Sequence, residues 1–299
     1  MPISYDVQAT APTAAPTDHE PVDATMPPAT GRADLGAGEA VGPDPDRYDS
    51  FGARVGAVKW EFAGMLALFS VVHVGTTLRD PQPLRFQDEG WFGRDTNNLG
   101  LDKLAHAYNT YIFSDLLYHR MARKAGGGLP TALASVALAA GMQSLGEVTD
   151  GFHTGSGFSV NDLAFNLAGG GFSVLRNSVP GLKEKLDFRL SVIPNRDFYT
   201  FKGKEHYRQQ RYLFAVKLAG FDGVARSPLR FAEVHLGYYG TGFTQRERAA
   251  GRTPARKIFV GVGVNFGELL FKRSRSTAGR AARSVTQYFQ LPYTTLRVK

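Results

Sequence analysis

The spacing of apolar residues changes near residue 186, and this change limits the folds that the chain can adopt. Before that point, apolar side chains recur at the spacing of amphipathic helices in residues 102–123, 130–148 and 161–175. After it, apolar residues alternate with other residues, most clearly in residues 258–266, as in half-buried strands. The sequence therefore predicts an α+β fold, in which a bundle of short helices is followed by an antiparallel sheet of about four or five strands.

Composition divides the chain into four parts. Residues 1–50 are rich in Pro, Ala, Thr, Gly and Asp and show no helical or strand period, so they are predicted to form a disordered leader. The other parts are a helical module (51–180), a β region (181–271) and a basic tail (272–299). The module begins with a possible membrane-associated helix at 57–76. Its apolar run is shorter than the roughly 20 residues that span a bilayer, so an interfacial or anchoring helix and a buried core helix both stay open.

Charge is distributed unevenly along the chain. The net charge is +8, but residues 1–50 hold nine acidic and two basic side chains, a net −7, which leaves +15 for the remainder. A basic fold suits anionic lipid headgroups. No nucleic-acid partner is expected, because the basic residues are scattered without a recognised binding module. The predicted partner is therefore a membrane surface or anionic envelope lipids.

The basic tail holds seven Lys or Arg side chains and no acidic one. Within it, Val285 and Phe289 form a small apolar stripe at helical spacing. This pattern is typical of a helix that binds the surface of an anionic membrane. A solvated basic helix without a target is the alternative.

Six polar side chains lie on otherwise apolar helices, and each pair shares a helix face: Asp102 with His106, Glu147 with Asp150, and Asp162 with Asn166. Placing this many ionisable groups beside apolar faces costs several kcal/mol unless they neutralise or hydrogen-bond one another. We therefore expect them to converge.

The cluster has two interpretations. In the first, its members satisfy one another in a closed core, as buried polar groups usually do. In the second, His106 with Asp102, Glu147 or Asp150 binds a divalent cation, for which His106, Glu147 and Asp150 are the candidate ligands, or a buried carboxylate acts as a general base. The spacing matches no metal-binding signature, so the structural interpretation is preferred. No cofactor is expected, a divalent metal is left open, and the sequence does not decide whether the protein is an enzyme.

Three consecutive glycines, Gly169 to Gly171, fall inside the third helical segment. A phosphate-binding loop would need a Lys-Ser or Lys-Thr pair after them, and none follows. Close packing of two helices is the preferred explanation.

Four sequence runs resemble an uncharacterised bacterial family of predicted periplasmic lipoproteins, of YfiM type. They are EGWFG (89–93), DKLAHAY (102–108), GEVTDGF (146–152) and GFSVNDLAFNLAG (157–169). The resemblance implies an envelope location and a helical bundle, but it carries over no catalytic residues. The pieces DKxxH, ExxD and SxxDxxxN are also similar, more loosely, to VanZ-like membrane proteins. One departure is that the chain has no cysteine, so we do not expect it to be a lipoprotein itself.

These observations predict a bacterial cell-envelope protein that is membrane-associated and faces the periplasm. Because Arg54 and Lys59 precede the apolar run, the leader is expected in the cytoplasm and the module outside. The predicted function is non-catalytic, with a structural polar cluster. The alternative is a metal-assisted hydrolase that acts on an envelope lipid or glycan.

Overall fold

The predicted order of helices followed by strands is present in a computed structural model, which describes residues 45–77, 82–88, 90–93, 96–153, 156–194 and 203–298. Most of the predicted leader, residues 1–44, lies outside the described residues. The α+β fold class is confirmed.

Nine α-helices lie in the described part of the chain: α1 (Phe51–Ala57), α2 (Lys59–Thr77), α3 (Leu101–Ala125), α4 (Leu129–Asp150), α5 (Val160–Ser178), α6 (Leu182–Lys185), α7 (Gln245–Ala249), α8 (Phe266–Leu270) and α9 (Thr277–Val285). Helices α3, α4 and α5 pack together, and α2 packs beside α4. Individual residues stabilise the first turns of α4 and α5. Pro130 lies in the first turn of α4, where a missing N–H costs nothing. The Ser159 hydroxyl accepts the Asp162 N–H at 3.2 Å and caps α5.

Helices α3 and α5 approach each other closely at a glycine. A Cβ on Gly169 would lie 1.9 Å from the backbone oxygen of Ala107 on α3. A Cβ on Gly170 would lie 2.6 Å from a methyl carbon of Val136 on α4. A Cβ on Gly171 would meet no atom within 4 Å. The first two glycines therefore allow the helices to pack, as the sequence predicts.

Five antiparallel strands form one sheet in the order β1-β2-β3-β4-β5. They are β1 (Leu186–Val192), β2 (Gln210–Lys217), β3 (Ala232–Thr241), β4 (Ala255–Val264) and β5 (Thr295–Arg297). The segment predicted as a basic tail contributes both α9 and β5. Just before β5, the Leu190 N–H donates to the Tyr288 carbonyl at 2.9 Å, and the Gln290 N–H donates to the Leu190 carbonyl at 3.0 Å. Strands β1 to β4 are consecutive neighbours in the sheet. The end of the chain therefore contacts both outer strands of this set, β1 through residues 288–290 and β4 through β5.

Aromatic side chains join the helices to one face of the sheet. Phe172 of α5 contacts Phe188 of β1 and Phe214 of β2, with ring centroids 6.1 and 5.6 Å apart. Tyr108 of α3 contacts Phe188 and Tyr212, at 5.6 and 5.7 Å. These edge-to-face contacts form the core between the two layers.

The helices cover this face of the sheet only in part. In β3 and β4 the apolar members of the alternation are exposed, while Glu233, His235 and Phe259 on the opposite face are buried. The exposed set on these two strands is Val234, Leu236, Ile258, Val260, Val262 and Val264. The strands are half-buried, but their aliphatic rows face outward.

Candidate functional site

The predicted polar residues meet at one end of the helical bundle, where α3 begins, α4 ends and α5 begins. There His106 Nε2 lies 3.3 Å from Glu147 Oε1 and 3.9 Å from Asp162 Oδ1. One ligand atom from each of the three side chains lies within 4.8 Å of the others. The three helices therefore bring together residues that lie far apart in the sequence.

Asn166 orients the histidine of this cluster. Its Oδ1 accepts a hydrogen bond from the Thr110 hydroxyl at 3.0 Å and lies 3.3 Å from His106 Nδ1. Because that oxygen is an acceptor, the contact favours a proton on Nδ1 of the imidazole. The other ring nitrogen, Nε2, then directs a lone pair towards Glu147 and Asp162.

Lys103 is a member of the cluster that sequence reasoning missed. Its Nζ lies 3.1 Å from Asp102 Oδ2 and 2.7 Å from Asp162 Oδ1. The lysine is fully buried, which is rare for this residue type. Its position three residues before His106 on the same helix face was the available signal. Asp102 is thus paired with Lys103.

The Glu147 carboxyl group has a raised pKa. Burial, followed by repulsion from Asp162 and Asp150, raises its pKa to about 8. Asp150 itself is half-buried and acts on Glu147 through its charge. Of the predicted metal candidates, His106 and Glu147 each place a ligand atom within 4.8 Å of the other, and Asp162 rather than Asp150 is the third side chain within that distance.

A second polar network, which the sequence did not predict, connects the helices to the sheet. Arg176 of α5 is buried and pairs with Asp115 of α3 at 3.1 Å and with Asp187 of β1 at 2.8 Å. Burial would raise the pKa of Asp115, but the His119 imidazole and the Arg176 charge hold that pKa below its usual value. Tyr288, near the end of the chain, donates its hydroxyl to Asp115 at 2.6 Å. The network therefore joins helices, sheet and C-terminal segment.

The network continues across the sheet. Arg189 of β1 contacts Asp187 at 2.6 Å and Glu233 of β3 at 2.7 Å. Lys217 of β2 donates to Asp187 at 2.7 Å, and His235 Nε2 lies 3.2 Å from Glu233 Oε2. Charged residues alternate with apolar ones in β1 and β3, and this was the signal for a polar sheet face.

The outer sides of three helices are apolar. We call the following exposed set, together with the exposed aliphatic rows of β3 and β4, the apolar outer surface: Trp60, Leu68 and Val71 on α2, Leu133, Leu145 and Val148 on α4, and Val160, Leu167 and Leu175 on α5. The remaining exposed positions of α5 are Ala164, Ala168 and Gly171. Among the described residues, α4 alone is long and apolar enough to cross a membrane, and half of its tested segment is buried in the fold.

Together, the fold and the site define a helical module with a buried polar cluster, packed on an antiparallel sheet. The model of a family described as "Predicted periplasmic lipoprotein (DUF2279)" matches residues 88–178, which hold every member of the cluster. The resemblance predicted from the sequence is thus confirmed for this segment, under a third of the 299 residues. No curated protein and no solved structure matches the chain.

The family description agrees with the predicted location in the bacterial envelope, membrane-associated and facing the periplasm. It also agrees with the prediction of an envelope protein without a characterised activity. None of the comparisons supports the looser similarity to VanZ-like proteins.

Proposed function

We propose that the chain is a non-catalytic envelope protein that docks against a lipid bilayer through its apolar outer surface. The observation that carries this proposal is the composition of the exposed positions on α4 and α5. From Leu133 to Val148 the exposed positions of α4 are all apolar, and so are those of α5. Isolated exposed apolar residues are ordinary, but a contiguous set usually marks a binding surface.

The extent of the surface favours a bilayer over a small partner. Helix α2 packs beside α4, α4 packs beside α5, and α5 lies on β2, so the apolar rows are neighbours. Burying one Leu or Val side chain contributes about 1.5 to 3 kcal/mol. Several such side chains would offset the entropic cost of binding.

Charge complementarity favours the same occupant. Lys59, Arg120, Arg123 and Lys124 are exposed where α2 begins and α3 ends. Glu61 pairs with Arg120 and Lys124 at 3.2 and 2.8 Å, which still leaves a net positive rim beside the apolar rows. Basic side chains at the edge of an apolar face are typical of proteins that bind anionic membranes.

Vesicle flotation tests the proposal with the full chain. We expect the wild type to float with vesicles of phosphatidylglycerol and phosphatidylethanolamine, and Leu68→Glu and Leu145→Glu to bind at least about tenfold more weakly, since each places a charge in the apolar contact. Leu291→Glu is the matched control. Leu291 is exposed and lines a cavity with Arg211 and Phe259, on the opposite face of the sheet. Equal flotation of all four proteins would disprove docking through this surface.

A metal-assisted hydrolase is the second candidate function, and the grouping of His106, Glu147 and Asp162 favours it. Against it, Glu147 and Asp162 are buried, and His106 alone of the three is partly exposed. Hydrolysis of an envelope lipid or glycan by the wild type, with loss of that activity in Glu147→Gln, would support the hydrolase.

A further inference from the structure

We propose that His106, Glu147 and Asp162 form a binding site for one divalent transition-metal ion, for which Zn²⁺ fits best. The inference goes beyond membrane docking, because the three side chains meet inside the helical bundle rather than on the apolar outer surface.

The orientation of the histidine is the first observation. Asn166 Oδ1 lies 3.3 Å from His106 Nδ1 and, as an acceptor, favours the tautomer with its proton on Nδ1. In that tautomer Nε2 directs a lone pair towards Glu147 Oε1 and Asp162 Oδ1, at 3.3 and 3.9 Å. Ionised carboxylates are acceptors only. When both carboxylates are ionised, the three acceptor atoms that face one another repel unless a metal ion or a shared proton lies between them. Metal-bound histidines commonly donate their other ring N–H to an oxygen acceptor in this way.

Asp162 supplies an independent observation. The residue is 5% exposed, and its Oδ1 accepts no hydrogen bond among the described residues. Lys103 Nζ lies 2.7 Å from this oxygen. We take this contact as an ion pair that leaves a lone pair of Asp162 Oδ1 available to the cluster.

The charge balance favours a divalent ion. The buried carboxylates Asp102, Glu147 and Asp162 carry three negative charges when ionised, and Lys103 supplies one positive charge. The remaining charge of −2 matches one divalent cation. Without a metal, the cluster must instead retain a proton.

The ligand set and its spacing favour Zn²⁺. One imidazole nitrogen and two carboxylate oxygens are ligands that Zn²⁺ accepts, at about 2.0 to 2.2 Å. Ligand atoms around such an ion lie roughly 3 to 4 Å apart, close to the two distances from His106 Nε2. The side chain of His106 is 23% exposed, so a fourth coordination position would open towards solvent and hold water.

Calorimetric titration of the chelator-treated full chain with ZnCl₂ tests the site. We expect one equivalent to bind and the melting temperature to rise, because the ion binds the native state. Asp162→Asn and Glu147→Gln keep the side-chain shape and should each weaken binding at least about tenfold. Asn166→Ala leaves all three ligands in place and should weaken binding roughly 10- to 100-fold. His153→Ala, which removes a half-buried imidazole outside the cluster, should bind as the wild type does.

Two results would overturn the proposal. One is the absence of Zn²⁺ binding by the wild type at micromolar concentration. The other is wild-type affinity in folded Asp162→Asn and Glu147→Gln. If circular dichroism shows that either variant is unfolded, the visible absorption spectrum of the wild type with Co²⁺ tests the site instead. Bands of a four- or five-coordinate ion support the site, and the spectrum of hydrated Co²⁺ disproves it.

Discussion

Arg189 on β1 reaches across β2 to Glu233 on β3 and forms two parallel hydrogen bonds with its carboxylate, Nη1 to Oε2 at 2.7 Å and Nη2 to Oε1 at 2.8 Å. Both side chains are buried. A two-pronged pair of this kind fixes the relative position of the two groups as well as neutralising them. The pair thus connects two strands that are not hydrogen-bonded neighbours.

The first prediction concerns this pair. Glu233→Gln leaves the buried Arg189 without one of its charge partners, so the free energy of unfolding should fall by about 3 to 5 kcal/mol. Replacing both residues, in Arg189→Met with Glu233→Leu, should cost less than the sum of the two single changes. Urea denaturation of the wild type, the single variants Arg189→Met and Glu233→Leu, and the double variant measures the coupling. Strictly additive losses would show that the two groups do not stabilise each other.

The second prediction concerns Lys103. Lys103→Met removes the buried ammonium between Asp102 and Asp162 and should lower the free energy of unfolding by about 3 to 5 kcal/mol. Arg123→Met is the control, because Arg123 is exposed on the same helix and should change stability by less than about 0.5 kcal/mol. Denaturant melts at pH 7 measure the free energy of unfolding of the wild type and both variants. Equal effects would mean that the ammonium does not stabilise the cluster.

The third prediction follows from the raised pKa of Glu147, about 8 against a usual 4.5. Between these values the folded protein retains a proton that the unfolded chain releases. The metal-free wild type should therefore lose stability as pH rises from about 5 to 8, on the order of a few kcal/mol, and then level off. Glu147→Gln cannot titrate and should show a smaller slope. Denaturant melts with a chelator at several pH values give both slopes, and identical slopes would contradict the raised pKa.

The fourth prediction separates two neighbouring glycines. Gly169→Ala should destabilise the fold by at least about 2 kcal/mol, because the added methyl group would overlap the backbone of α3. Gly171→Ala should be neutral or stabilising by up to about 1 kcal/mol, since it faces open space and alanine favours a helix. Thermal melts of the two variants and the wild type measure these changes in stability. Similar melting temperatures would show that α3 and α5 are not in close contact.

Much of the site was predictable because helical spacing assigns residues to faces. Asp102 and His106, and likewise Asp162 and Asn166, share faces by their separation alone, and the cost of burying them implied that they would meet. The carboxylate that joins His106 and Glu147 was harder to predict. The sequence favoured Asp150, whereas the structure brings Asp162 to His106 and Glu147. Which carboxylate completes the group depends on how α4 and α5 are rotated about their axes, and no local rule sets that rotation.

The sequence by itself determined the four longest helices, four of the five strands and the presence of a polar cluster, because these follow from local periodicity and from the cost of burying charge. Only the tertiary structure decided which row of side chains in β3 and β4 is buried. Alternation separates Val260 and Val262 from Phe259, and Leu236 from His235, but it does not show which row faces inward. Here Arg189, Glu233 and His235 are buried together while the aliphatic rows face outward. Charged partners from separate strands neutralise one another only after the chain has folded, so their burial cannot be inferred from any one strand.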